Sequence, residues 1–292
     1  MELGYVQGLA RAFWRHPTAL FQLGNGLEAT GQRLLELDGK DFLKHPVERI
    51  RVQGFQIRLN PRDAYISGQI AKRRMLEPDV TPTFQRALGG AKLVVDAGAN
   101  IGWYTMLSAS RLQHLGRVLA FEPDGLNFSL LSNSAIDNGF DNVELFNQAL
   151  SDVSGVATIY PSPDPTNPGL HSFYGGFGER GKLVRTTTLQ AAVSRAEASQ
   201  IDVLKLDVEG AEPVVLKGAG DLTSRERIRH IFMEWTPKAW VGEEQLVDTI
   251  LTLYDVEELR WGRSTRVKNP YHLGRRANLH LKLKGGPFSQ AK

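Results

Sequence analysis

The stretch LVVDAGANIGWYT, Leu93 to Thr105, decides how the rest of the chain is read. An apolar run ends in Asp96, and the chain then turns through Gly98, Ala99, Asn100 and Gly102 into residues with helical spacing. Glycine reaches positive φ without steric penalty and lets a ligand approach the backbone, while the helix N-terminus that follows carries partial positive charge. Strand, glycine loop and helix in that order form the ligand-binding turn of a doubly wound α/β sheet. The spacing Asp96-x-Gly98-x-Asn100-x-Gly102 departs from the G-x-G-x-x-G of dinucleotide folds. A carboxylate two residues before the first glycine suits a cationic group such as an amine and repels a pyrophosphate.

Outward from this turn the chain alternates short apolar runs with helical stretches. Leu93 to Val95, Val118 to Phe121, Val143 to Phe146, Ile201 to Leu206, Ile228 to Met233 and Leu279 to Leu283 are predicted strands. Tyr104 to Leu112, Gly125 to Asp137, Ala191 to Ala198, Val214 to Lys217 and Glu243 to Leu253 are predicted helices. Right-handed crossovers then spread the helices over two faces and line up the strand C-termini along one edge, where such sheets bind ligands. Residues 156–188 interrupt the pattern: Val156 to Tyr160 and Val184 to Thr188 flank a Pro/Gly-rich stretch, Pro161 to Gly181, which reads as a flap serving either as a lid or as a surface excursion. Upstream, residues 1–90 read as a mainly helical extension, broken at Gly24, Gly26, Gly31 and Gly39, with Arg51 to Leu59 alternating like a strand or edge hairpin. The α/β domain is expected over residues 91–286.

The 292 residues carry 41% hydrophobic and 23% charged residues, the balance of a globular chain rather than a disordered or fibrous one. With no cysteine, disulfides, thiolate-held metals and thiol nucleophiles are excluded. Net charge is +3, too small to argue for nucleic acid, although nine basic residues from Arg260 to Lys292 face only Glu257 and Glu258. That end reads as a solvated basic face, with attraction for a phosphorylated acceptor as the second reading. No apolar window is long enough to span a membrane and no signal peptide is evident, so a cytoplasmic protein is expected. Tyr5 to Leu23 mixes aromatics with Arg11 and Arg15 but is interrupted by Pro17, which favours packing on the main domain over an interfacial helix.

Glu122 ends the second strand, 20 residues beyond Gly102, where a carboxylate accepts hydrogen bonds from both hydroxyls of a ribose. Loop and acid together predict a nucleoside-bearing ligand.

VVDAGANIG, AFEPD, NQALSDVSG and DVLKLDVEGAE, in this order and spacing, resemble the FkbM family of S-adenosylmethionine-dependent methyltransferases over about Lys92 to Glu234. The resemblance implies a Rossmann-like class I methyltransferase sheet of seven strands with the last hairpin antiparallel. It implies transfer of methyl from S-adenosylmethionine to a hydroxyl of a sugar, glycoconjugate or polyketide-type metabolite. In that reading Asp96 faces the amino end of the cofactor, directly or through water, and the backbone of Gly98, Ala99, Asn100 and Gly102 serves its carboxylate. Glu122 takes the ribose, and Gln148, Ala149 and Asp152 take the adenine edge. The family often shows T-L-D in the flap region, where this chain has Thr188-Leu189-Gln190.

An alcohol acceptor must lose its proton near the transition state, and a positioned base contributes about 10²- to 10⁴-fold. Asp207 and Glu209, at the end of the fourth strand, are candidates for that base or for orienting acceptor and cofactor; His171 in the flap is a third. Glu212, just before Pro213, reads better as a helix cap. Phe173, Tyr174, Glu234 and Trp235 are expected to face the acceptor, with the aromatics as a stacking wall. A divalent cation held by paired carboxylates is conceivable but not indicated, and no metal ligand set is assigned. The expected partner is a small-molecule or carbohydrate acceptor, with no nucleic acid; a homo-oligomer is compatible with the sequence. An NAD-dependent dehydrogenase, disfavoured by Asn100 and by the lack of a Tyr-x-x-x-Lys pair, and a degenerate glycan- or partner-binding protein on the same fold are the alternatives.

Overall fold

The alternation in Arg51 to Leu59 folds as a hairpin of β1 (Glu48–Val52) and β2 (Phe55–Leu59). Gln53 and Gly54 turn it, both at positive φ (50° and 92°), the combination that matches the twist of paired strands. The computed structural model describes residues 48–161, 171–172, 181–261 and 263–285. Tyr5 to Leu23 lies outside them. After the hairpin come helices α1 (Ile66–Arg73) and α2 (Thr81–Ala87).

The α/β pattern then begins: β3 (Leu93–Ala97), α3 (Trp103–Leu112), β4 (Arg117–Phe121), α4 (Gly125–Asn138) and β5 (Val143–Phe146). Next are β6 (Ala149–Ser151), β7 (Gly155–Pro161), β8 (His171–Ser172) and β9 (Lys182–Thr188), which form a separate sheet in the order β6-β9-β7-β8. The chain returns through α5 (Leu189–Arg195), β10 (Ile201–Leu206), α6 (Glu212–Lys217), α7 (Asp221–Ser224), β11 (Ile228–Trp235) and α8 (Glu244–Leu253). It closes with β12 (Tyr254–Arg260), β13 (Arg263–Arg266) and β14 (Ala277–Leu283).

The main sheet runs β13-β12-β14-β11-β10-β3-β4-β5. β3, β4, β5, β10 and β11 are parallel, and β14 runs against both β11 and β12. This is a doubly wound, Rossmann-like sheet with an antiparallel final hairpin, carrying eight strands rather than the expected seven. The extra strand is β13, an edge whose four residues are all exposed and which pairs antiparallel with β12. Part of the basic tail is therefore sheet. Chain order reverses between β10 and β3, which opens a crevice at their C-terminal ends.

Each strand sends alternate side chains to opposite faces. One face carries Val95, Leu119, Leu204, Leu206, Ile231, Met233 and Trp235, and packs with Leu189, Val215, Leu222 and Val247 of α5 to α8. The other carries Val94, Val118, Ala120, Val203 and Phe232. It packs with α3, α4 and the segment before β3, through Phe55, Ile57, Ile70 and Phe84. Phe84 meets both Phe232 and Tyr104 edge-on, at 5.2 and 4.7 Å between ring centres. Arg58 anchors β2 to α4 through Asp137 at 2.7 Å. Residues 48–88 thus complete one face of the sheet core. No described helix is long and apolar enough to cross a membrane.

Candidate active site

On the face covered by residues 48–88, the strands change character at their C-terminal tips. Val94 gives way to Asp96, Ala120 to Glu122, Val203 to Lys205 and Asp207, and Phe232 to Glu234. Ladder register sets Lys205 beside Asp96 on one side and Phe232 on the other. Alternation alone therefore gathers five ionisable side chains at one edge.

The loop after β3 is held by its backbone. Gly98, Asn100 and Gly102 all have positive φ (77°, 52° and 98°). A Cβ on Gly98 would lie 1.9 Å from the Asp207 carbonyl oxygen, so glycine is what lets the β3 and β10 loops meet. The amides of Gly98 and Ala99 donate to the Phe121 carbonyl (3.0 and 2.9 Å), and that of Gly102 donates to Ala99 (2.8 Å). Asn100 N–H donates to Glu122 Oε2 at 2.8 Å, and Ile101 N–H to Asn100 Oδ1 at 2.8 Å. The amides expected to serve a ligand carboxylate thus make hydrogen bonds that shape the loop, whose glycines leave a surface of close approach.

Glu122 is buried and fixed by two backbone donors, Asn100 and Asp124. Asp96 is buried too and accepts from Thr105 Oγ1 at 2.6 Å, tying the strand end to the first turn of α3. Burial pushes its carboxyl up to about 6, against the pull of Thr105 and Lys205. Both residues line an open crevice of about 870 Å³, solvent included. One wall is apolar: Phe121, Ala149, Leu150 and Ile159. Ile66, Leu76, Tyr104, Lys205, Asp207 and Glu209 line the crevice as well.

Lys205 is 2% exposed in the middle of the sheet. Burial opposes its charge, but the Asp207 and Glu77 carboxylates outweigh burial and hold the ammonium protonated well above its usual range. Its Nζ donates to Asp207 Oδ2 at 2.8 Å and lies 3.6 Å from Glu77 Oε2. Beyond Asp207 the edge stays acidic. Glu209, at φ 54°, has its carboxyl pushed up to about 8 by burial and by the charges of Asp207 and Glu234. Glu234 is raised for the same reasons and is met by Arg276 at 3.6 Å. Glu212 is the first residue of α6 rather than its cap, which is Ala211 without a side-chain bond; its Oε1 instead accepts from the amides of Val208 and Gly210, holding the turn that presents Asp207 and Glu209.

Other expected residues are spread more widely. Ala149 lines the crevice, whereas Gln148 and Asp152 do not, and Asp152 lies exposed beyond β6 near Gly218. Trp235 is a correction. At 1% exposure it stacks on Trp240 (4.8 Å) beneath the other face of the sheet, because it follows Glu234 and neighbouring strand residues point opposite ways. His171 falls on β8, opposite Pro161 in the ladder. Phe173 and Tyr174 lie outside the described residues. Gln190, where the T-L-D pattern is lost, sits on α5 away from the crevice lining. Lys205, Glu77, Tyr104 and Arg276 were not anticipated. The one signal for Lys205 was a lysine near the end of a central strand whose only other charged residue is Asp202. Among the described residues no group of three or more His, Cys, Asp or Glu side chains is arranged to hold a metal ion.

A family model described as the Methyltransferase FkbM domain matches residues 96–260. The chain is 30% identical over 174 residues to "Methyltransferase sdnD" of Sordaria araneosa, covering 49% of this chain and 66% of that protein. It is 32% identical over 123 residues to "Hexuronic acid methyltransferase AglP" of Haloferax volcanii, covering 42% of this chain and 48% of that protein. The matches thus span 66% and 48% of the lengths of these relatives. Among solved structures, a methyltransferase FkbM from Methylobacillus flagellatus KT aligns with a TM-score of 0.42 at 16% identity, over 66% of this chain and 44% of that one.

Proposed function

The chain belongs to the FkbM methyltransferase family, and from that premise we propose that it is an S-adenosylmethionine-dependent O-methyltransferase acting on a sugar, glycoconjugate or polyketide-type acceptor. The observation that carries this reading is the meeting of Asp96, Glu122 and Asp207 around one crevice at the reversal of strand order. The donor set fits such a cofactor. Its sulfonium and amino group are cationic, and the crevice is lined by Asp96, Glu122, Asp207 and Glu209 against Lys205, with the Glu234–Arg276 pair near Glu209. Glu122 would hold the ribose hydroxyls, and the Phe121, Ala149, Leu150 and Ile159 wall the flat, weakly polar adenine. The bound cofactor supplies an electrophilic methyl.

The chain's own residues orient the acceptor oxygen and take its proton. Asp207 lines the crevice, and its Oδ2 is fixed by Lys205, which sets the carboxylate's direction. Glu209 beside it, raised to about 8, falls in the range where a general base is strong and still available near neutral pH. Arg276, 3.6 Å from Glu234 and near enough to Glu209 to act on its charge, supplies a cation that would read an acidic sugar at this edge, in keeping with the relative named for hexuronic acid. The test is transfer of labelled methyl from S-adenosylmethionine to a panel of hydroxylated and uronic-acid acceptors. Acceptor-dependent label in the product supports the reading; tight cofactor binding with no transfer to any acceptor contradicts it.

A further inference from the structure

Lys205 takes its ion-pair partners from both sides of the domain boundary at residue 91. A fully buried ammonium is costly unless it is paired and hydrogen-bonded. Asp207 supplies one partner. The other comes from upstream: Glu77, between α1 and α2, sends Oε2 to within 3.6 Å of Lys205 Nζ. Glu77 also accepts a hydrogen bond of 2.5 Å from the Tyr104 hydroxyl. Tyr104 stands on α3, immediately after the glycine loop, with its ring centre 4.9 Å from the same ammonium. Thr81 completes the packing, meeting the Tyr104 hydroxyl at 3.4 Å and accepting from Trp103 Nε1 at 3.2 Å.

Glu77 is also held in an unfavourable conformation. Its φ is 42°, in the left-handed region that non-glycine residues rarely adopt, while its carbonyl accepts from the amides of Val80 and Thr81. Such strain persists only where the surroundings over-determine it. Leu76 lines the crevice and Glu77 does not; Glu77 meets the site through its contacts with Tyr104 and Lys205.

We propose that Glu77 is a positioning residue for the methyl-transfer centre: with Tyr104 it clamps the Lys205 ammonium, and Lys205 in turn fixes the Asp207 carboxylate toward the crevice. This deepens the methyltransferase reading and rests on it. The segment before β3 is then part of the active site, joining the crevice carboxylate to the cofactor loop through a chain of contacts from Asp207 to Trp103. Misplacing a reacting group by about 1 Å costs on the order of 10²-fold in rate. Loss of the clamp is therefore expected in turnover rather than in cofactor binding.

The test compares the full-length protein with Glu77→Gln, Glu77→Asp and Tyr104→Phe. Glu77→Gln should lower kcat about 10- to 100-fold and leave the KM for S-adenosylmethionine within about 2-fold. Glu77→Asp should recover part of the loss, and Tyr104→Phe, which removes one hydrogen bond with little change of volume, should lose about 3- to 10-fold. A second readout needs no turnover: the Lys205 ammonium protons, protected from exchange, should give an NMR signal in the parent that broadens or vanishes in Glu77→Gln. Equal kcat for parent and Glu77→Gln, cofactor affinity falling in step with kcat, or an unchanged ammonium signal would each overturn the inference. A parent that transfers no methyl fails the functional reading instead, and the ammonium signal still decides whether the clamp exists.

Discussion

The two faces of the main sheet are made from the same strands and serve different ends. On the face under α5 to α8 the apolar residues run to the strand tips, ending in Leu206, Met233 and Trp235. On the face under residues 48–88 they stop short, and the last positions are Asp96, Glu122, Lys205 and Glu234. The difference teaches that the anchor of this fold and its chemistry are separated by one residue of strand register. If so, substitutions on the two faces should fail in different ways.

Asp207→Asn on the charged face is expected to lower turnover about 10²- to 10⁴-fold with cofactor affinity little changed, as measured by methyl transfer and by titration. A loss under about 3-fold would remove Asp207 from the chemistry. Trp235→Ala on the apolar face should do the reverse. Losing a buried ring stacked on Trp240 and edge-on to Tyr271 costs about 3–5 kcal/mol of stability, while kcat per folded molecule stays near the parent's. Chemical denaturation beside an activity assay separates the two.

The smallest effect concerns pH. Glu209, at about 8, is raised above its ordinary value of 4.5, so between these limits the folded form keeps a proton that the unfolded form releases. Its contribution to stability is therefore lost as pH rises through that window. Glu209→Gln, compared with the parent by thermal denaturation, should lose less stability between about pH 5 and 8, and the comparison cancels the buried His230 and His280 pair, whose protonation both burial and neighbouring cations oppose. Parallel slopes for the two proteins would show that Glu209 is not held protonated.

Much of this was legible in the sequence because periodicity and turn chemistry are local. The runs at Leu93, Val118, Val143, Ile201 and Ile228 all became parallel strands, and the glycine loop took the positive φ values its residues imply. The loop's hydrogen bonds to Phe121 and Glu122 were not legible, since those acceptors come from the end of another strand. Nor was the clamp on Lys205, whose partners Glu77 and Tyr104 lie far upstream and meet it only in the fold. Strand β13 was missed because Arg263 to Arg266 is polar throughout and pairs only as an exposed edge. Trp235 was within reach: Glu234 and Trp235 are consecutive in one strand, so the two cannot both face the acceptor.

The central claim is that the crevice between the Gly98 loop and Glu122 holds a sulfonium nucleoside. Calorimetric titration of S-adenosylmethionine and S-adenosylhomocysteine into the parent and into Glu122→Ala tests it most directly. The account predicts micromolar binding of both compounds to the parent and a loss of about 10- to 100-fold in the variant, as expected when charge-assisted hydrogen bonds to ribose are removed. Equal affinity in the two proteins, or no heat of binding with the folded parent, would contradict it.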